Sequence, residues 1–249
     1  MSDKKMICIV TGGTGGIGVA ISKRLSSDGF LVVATCRPKS KSDILALQEN
    51  LFGGDPNIYI HPVDVSNHES CTYLINKITD SHGKIAVLIN NAGITDDSSF
   101  KKMTHDQWKS VISNNLDSVF NLSSLVFPSM CADGWGRIVN ISSINAQKGQ
   151  FGQTNYAAAK AGMLGFTKSL ALEGARYGVT VNSISPGYIA TKMVTDLSDK
   201  IISSIISEIP LGRLGKPEEV AHAVSFLLDE KASFVTGSNI AMNGGHHTY

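Results

Sequence analysis

The sequence of 249 residues predicts an α/β fold, a doubly wound parallel sheet of seven strands with helices on both faces. Three observations carry this. Short apolar runs alternate with stretches whose apolar residues recur every three or four positions. The runs are continuous rather than alternating apolar with polar, as in strands covered on both faces. No linker, repeat or low-complexity tract divides them, so residues 1–249 read as a single domain.

Along the chain, residues 7–10 (Ile-Cys-Ile-Val) read as the first buried strand. Ile17, Ala20, Ile21 and Leu25 give the helical spacing that follows, ended by Gly29. Residues 31–34 form the second strand, 44–51 a short helix and 58–60 the third strand. Cys71, Leu74, Ile75 and Ile78 mark the next helix, and 87–89 the fourth strand. Thr104 reads as the N-cap of a long helix reaching about residue 131, because Thr104-His105-Asp106-Gln107 fits a capping box. Residues 138–141 are the fifth strand, 155–177 a long helix and 179–184 the sixth strand. Pro217 opens a late helix at its first turn, where no N–H is missed, and 239–242 close the sheet. The loosest segment, 188–214, follows a strand's C-terminal end, where open α/β sheets bind ligands. It reads as a lid over the site.

Charge excludes some function classes. With 22 Lys and Arg against 21 Asp and Glu the formal charge is +1, which points to neither nucleic acid nor a membrane surface as partner. The start Met1-Ser2-Asp3-Lys4-Lys5 is basic, but the apolar run after it stops at Val10, too short for a signal-peptide core. No stretch approaches the ~20 apolar residues of a membrane span. A cytoplasmic protein is expected. The cysteines Cys8, Cys36, Cys71 and Cys131 are scattered and read as free thiols. His246-His247 reads as a plain tail, and no metal site is expected.

The first turn carries the first chemistry. Gly13-Thr14-Gly15-Gly16-Ile17-Gly18 fits G-x-G-x-x-G, and from Thr11 the same residues read T-G-x-x-x-G-x-G. Placed between a strand and a helix, such glycines let the backbone turn tightly against a pyrophosphate, while the helix N-terminus offers free N–H groups. This is a Rossmann-type dinucleotide turn. The end of the second strand selects the cofactor. An acid for the ribose 2′-OH is absent before Asp43, and Arg37 and Lys39 stand where a 2′-phosphate would lie, so NADPH/NADP+ is expected.

The second chemistry is a phenol with an amine. Tyr156 and Lys160 lie one helical turn apart, separated by three alanines that leave room for a ligand, and Ser142-Ser143 ends the neighbouring strand. A phenol with a pKa near ~10 is a poor acid or base at neutral pH. Lowering it by about 3 units needs ~4 kcal/mol, about what one ammonium at ~4 Å supplies at an effective dielectric of ~20. A serine hydroxyl at the strand end can polarise the same carbonyl.

These pieces together resemble the short-chain dehydrogenase/reductase family over essentially the whole chain. The matching residues are 11–18, Asn90-Asn91-Ala92-Gly93, Asn114-Asn115-Leu116, Ile141-Ser142-Ser143, 156–160 and Pro186-Gly187 followed by Thr191. The resemblance implies that Tyr156 donates the proton and that Ser143, thirteen residues before it, holds the carbonyl. It implies that Lys160 grips the nicotinamide ribose and tunes Tyr156, and that Asn115 positions a water for a proton relay. It implies Gly12, Gly16, Ile17 and Gly18 around the pyrophosphate and Asp64 and Val65 beside the adenine. Asn91 and Gly93 would lie on the adenosine side, with Pro186, Gly187, Ile189 and Thr191 near the carboxamide and phosphates. A homotetramer is implied as well.

A closer likeness spans residues 136–143, 147–156, 90–95, 185–191 and 243–246. It is to the branch of the family that reduces acetoacetyl-CoA to (R)-3-hydroxybutyryl-CoA for polyhydroxyalkanoate synthesis. It implies an acyl-CoA substrate, with Gln150, Phe151, Gln153 and Tyr188 lining the acyl and pantetheine pocket. Asp96 departs from the basic residue of that branch. The nearest alternative is a 3-oxoacyl-[acyl-carrier-protein] reductase, which would meet an acidic carrier with basic residues; Arg137 and Arg176 are the cations near the corresponding places. A non-catalytic NADP sensor is the alternative from another class, and the presence of both Tyr156 and Lys160 argues against it.

Overall fold

The computed structural model describes residues 5–248; all of the basic start except Lys5 lies outside them. Seven strands form one sheet: β1 (Ile7–Val10), β2 (Leu31–Cys36), β3 (Ile58–Pro62), β4 (Ile85–Asn90), β5 (Gly136–Ile141), β6 (Val179–Pro186) and β7 (Asn239–Met242). Their order is β3-β2-β1-β4-β5-β6-β7 and every pairing is parallel. The chain winds outward from β1 to β3, then returns to the other side of β1 as β4. The switch point therefore lies between β1 and β4, and loops leaving their C-terminal ends diverge to leave a crevice.

The continuous apolar runs are explained by two cores, one on each face. Along β1, Cys8 and Val10 face one way and Ile7 and Ile9 the other, all buried. The first face is covered by α1 (Gly16–Ser27), α2 (Lys41–Phe52) and a helix at Pro217–Leu228. The second is covered by α3 (His68–His82) and by the helices that follow β4 and β5. The third strand departs from the continuous pattern. It is the sheet edge, so Ile58 and Ile60 are buried while Tyr59 is exposed.

The long helix expected from Thr104 to about residue 131 is broken. It begins as expected, with Thr104 Oγ1 accepting from Gln107 N and Gln107 Oε1 from Thr104 N. But α4 (His105–Ile112) ends in a π turn, Ser113–Asp117, before α5 (Ser118–Asp133) resumes. Such turns cluster at functional sites, and this one holds Asn114 and Asn115. Apolar periodicity did not reveal it, because Val111, Val119 and Leu122 stay on the buried face on both sides of the turn. After β5 come a short α6 (Asn145–Lys148) and α7 (Thr154–Gly174), which gives way to a 3-10 turn, Ala175–Tyr177.

The segment after β6 carries α8 (Lys192–Thr195) and α9 (Asp199–Ser207) and precedes α10 (Pro217–Leu228). Its two ends meet: Ala190 N bonds Gly215 O at 2.8 Å and Gly215 N bonds Tyr188 O at 2.9 Å. It is a closed excursion rather than a strand crossover. Among the described residues, no helix is long and apolar enough to cross a membrane. The four cysteines carry free thiols.

Two glycines of the first turn differ in how much room a side chain would have. A Cβ at Gly18 would lie 2.2 Å from Gly12 O, whereas one at Gly15, at φ −82°, meets Gly12 O at an ordinary 3.4 Å. Gly18→Ala is therefore expected to cost about 3 kcal/mol or more in urea unfolding, and Gly15→Ala less than about 1 kcal/mol. Equal losses would contradict this account of the turn.

Candidate active site

The turn from β1 to α1 shapes the floor of the crevice. Gly12 takes φ +59°, and a Cβ there would stand 3.0 Å from Ala92 Cα; a Cβ at Gly16 would stand 2.8 Å from Thr191 Cγ2. Small residues are needed because two other loops approach the turn. The N-terminus of α1 has no side-chain cap, whereas α2, α3 and α4 are capped by Ser40, Asn67 and Thr104. Its leading N–H groups and positive dipole end remain available to an anion.

A crevice of about 450 Å³ runs from Gly12 past Arg37, Asp64, Val65 and Gly93 to Asn114. Arg37 lines it. Lys39 is exposed and is not part of its wall. Asp64 is held as an Asx turn by Ser66, and Val65 O accepts from Asn121 Nδ2 at 3.0 Å. Asn91 closes the adjoining turn: its Nδ2 donates to Thr11 O at 2.9 Å and Gly12 O at 3.2 Å. It ties the β1 and β4 loops together as well as lining the crevice beside Gly93.

The inner end of the crevice gathers Ile17, Ser143, Tyr156, Lys160, Pro186 and Gly187 around a space of about 160 Å³. Ser142 and Ser143 have different partners. Ser142 Oγ donates to Lys160 O at 2.9 Å, so its proton is spent inside the protein. Ser143 Oγ accepts from Asn145 N at 3.1 Å, which leaves its own proton to be given outward. Lys160 is buried, its Nζ 2.8 Å from Ile141 O and 5.8 Å from the centre of the Tyr156 ring.

The electrostatics correct one expectation. The Lys160 ammonium was to draw the phenol below its ordinary pKa. In the structure Tyr156 lies above it: burial raises it most, the Ser143 hydroxyl opposes, and the Asp97 carboxylate raises it further. Burial also pushes Lys160 down to about 8. Removing water from either charged form costs more than the two groups return at their separation. Tyr156 is thus held as the neutral acid.

Asn115 is wholly buried in the π turn, and its side chain is committed. Nδ2 donates to Ile94 O at 2.9 Å and Val111 O at 2.8 Å, and Oδ1 accepts from Ile94 N at 3.2 Å. A Cβ on Gly93 would meet Asn115 Oδ1 at 2.4 Å and Lys160 Nζ at 3.4 Å, so only glycine fits between them.

A second space of about 200 Å³ opens beside Ser143 and Tyr156, bounded by Gln153, Tyr188, Ile189 and Thr191. Gln150 and Phe151 do not line it; Phe151 is 88% exposed, and Gln150 is exposed with its Oε1 3.5 Å from Lys148 Nζ. Three contributors were not foreseen. Met193, from α8, lines both inner spaces. Asn145 and Asp97 complete a hydrogen-bonded wall: Asn145 Nδ2 donates to Gln153 Oε1 at 2.8 Å, and Gln153 Nε2 to Asp97 Oδ2 at 2.8 Å. Asp97 can only accept, so it fixes which way both amides point. Asp96 faces elsewhere, accepting from Gln107 Nε2 at 2.7 Å. In the sequence Asn145 and Asp97 are polar residues in the stretches that follow β5 and β4, too common a feature to assign a role.

A family model described as enoyl-(acyl carrier protein) reductase matches residues 12–247. The chain belongs to the short-chain dehydrogenase/reductase family. It is an oxidoreductase, of a family that works with a nicotinamide cofactor. An acetoacetyl-CoA reductase of Allochromatium vinosum is 47% identical, over 96% of this chain and 97% of that protein. An acetoacetyl-CoA reductase of Cupriavidus necator is 49% identical over 97% and 98%. A 3-oxoacyl-[acyl-carrier-protein] reductase of Haemophilus influenzae is 41% identical over 96% and 97%.

The lysine gives a test independent of catalysis. Its folded value of about 8 lies below the unfolded value of 10.5, so the unfolded chain binds the extra proton between these limits and stability rises with pH there. Relative to Lys160→Met, the wild type is expected to gain about 2 kcal/mol between pH 7 and pH 9.5 in denaturant titrations. A flat difference would mean that Lys160 is hydrated.

Proposed function

We propose that this chain is an NADPH-dependent reductase of 3-ketoacyl thioesters that converts acetoacetyl-CoA to (R)-3-hydroxybutyryl-CoA, the reductive step of polyhydroxyalkanoate synthesis. The observation that carries this reading is the meeting of Ser143, Tyr156 and Lys160 at the inner end of a crevice that starts at the glycine turn. The names and full-length coverage of the relatives support the substrate.

The residues present fit the cofactor. Gly12, Gly16 and Gly18 give a backbone cradle that side chains would fill, and the uncapped α1 N-terminus faces it. Ile17, Asn91 and Gly93 would flank the dinucleotide, Asp64 and Val65 its adenine, and Arg37, with the exposed Lys39, its 2′-phosphate. Pro186, Gly187, Ile189 and Thr191 would hold the nicotinamide end, and Lys160 its ribose. Bound there, NADPH supplies the hydride.

Ser143, with its Oγ already accepting from Asn145 N, gives its proton to the substrate carbonyl oxygen and polarises it. Tyr156, kept protonated by burial and by Asp97, donates to the same oxygen as negative charge builds there. Lys160 offsets the phenolate as it forms. Both Nδ2 hydrogens of Asn115 are spent, so a water that reprotonates the site would be held by its main-chain carbonyl rather than its side chain. Gln153 and Tyr188 border the acyl arm. Gln150 and Phe151 belong to this pocket only if the outer loop folds inward. Residues 188–214 act as the lid, within one domain spanning 1–249.

CoA is favoured over a carrier protein by the state of Arg137. It is 2% exposed, donates to Gly136 O and Gly178 O, and stacks 4.5 Å over Trp135. A buried cation cannot dock an acidic helix, which leaves Arg176 alone. We also read the chain as a cytoplasmic homotetramer. Exposed apolar residues on α5 and α7, Phe120 at 57% and Leu172 at 82%, support association.

Steady-state rates decide the substrate: kcat/KM with acetoacetyl-CoA is expected to exceed that with a matched carrier-protein thioester, and NADPH to be preferred to NADH. The reverse order of thioesters would move the enzyme to the carrier-protein reaction. Tyr156→Phe is expected to lower kcat at least about a hundredfold while NADPH still binds. Arg37→Asp should raise KM for NADPH at least about tenfold more than for NADH.

A further inference from the structure

The sequence treats His246 as part of a plain tail; the structure folds it inward. Its side chain is 8% exposed. Gly244 and Gly245, at φ +64° and +86°, turn the chain back on the lid. A Cβ at Gly244 would lie 2.7 Å from Ile209 Cγ2, one at Gly245 3.1 Å from Pro210 Cγ, and Leu211 N bonds Gly244 O at 3.1 Å. The far end of the lid is thereby held against the C-terminal segment.

His246 then joins that end to the near end. Its ring stacks on Tyr188, with centroids 5.8 Å apart and planes at 21°. Its Nε2 stands 3.4 Å from Glu208 Oε2, just past α9. Its Nδ1 is buried without a hydrogen-bond partner among the described residues. Burial holds the imidazole below its usual pKa. The neutral ring with its hydrogen on Nε2 fits both facts, since it gives that N–H to Glu208 and buries only a bare nitrogen.

Tyr188 is the link to catalysis. It borders the space beside Ser143 and Tyr156 on one side and a space of about 260 Å³ against Asn243, Gly244 and Gly245 on the other. A phenol ring between two spaces is free to swing unless something braces it from behind. We propose that His246 is a positioning residue for substrate. It braces the Tyr188 ring from behind and, through Glu208, pins the end of the lid, so that the pocket for the acyl thioester is formed before substrate arrives.

This rests on the reductase reading, and the test separates the two. Wild-type turnover of acetoacetyl-CoA with NADPH tests that reading. His246 is tested by the split between constants. His246→Ala is expected to raise KM for acetoacetyl-CoA about fivefold to tenfold, in line with loss of an aromatic pair, with kcat and KM for NADPH changed less than about twofold. His246→Phe, which keeps the stack and loses the Glu208 contact, should recover most of the KM. Glu208→Gln should give a smaller rise of its own. An unchanged KM in His246→Ala overturns the proposal. So does a parallel loss in kcat and both KM values, which would mean a general structural role, and so does failure of His246→Phe to recover KM.

Discussion

A reciprocal pair of hydrogen bonds joins β5 to α7, and the site depends on it. Lys160 Nζ donates to Ile141 O at the end of the strand, and Ser142 Oγ donates to Lys160 O on the helix. Each side chain reaches the other element's backbone. The strand end and the helix start are therefore locked in register, and the residues beside them, Ser143 and Tyr156, face one space. The lock is made from buried polar groups, which are stable only while every partner is satisfied.

The same burial decides the protonation states. A lysine with its head in the protein interior loses hydration, and its pKa falls. A phenol in the same place gains protons for the same reason. The result is an acid that stays neutral and keeps its proton at neutral pH, beside an amine whose pKa has fallen to about 8. For a reduction this is the useful arrangement, because the proton is needed only when the carbonyl oxygen acquires negative charge. The site favours donation by withholding solvent from the resting acid.

The second half of the pocket is built differently. It is assembled from loops rather than from a strand and a helix. Asp97 orients Gln153 and Asn145 because a carboxylate can only accept, and the lid's two ends are tied by backbone bonds at Gly215 and by the segment Asn243 to His246. Such walls are held by single bonds between distant parts of the chain, so they adapt more easily than the catalytic core.

By itself the sequence determined the α/β class, the alternation of strands and helices along the chain, the glycine turn and the Tyr156–Lys160 pair. These are local patterns: apolar runs, helical spacing and glycines whose conformational role is written in consecutive residues. Only the tertiary structure decided what distant residues do to one another. It inserted a π turn at Asn114 and Asn115 without disturbing the apolar period, and it spent the Ser142 proton on Lys160 while turning the Ser143 hydroxyl toward Tyr156. It left Phe151 in solvent, buried Arg137, and brought His246 from the end of the chain to the back of Tyr188. The physical reason is that burial and hydrogen-bond partnership belong to three-dimensional neighbourhoods, and residues far apart in the chain make those neighbourhoods.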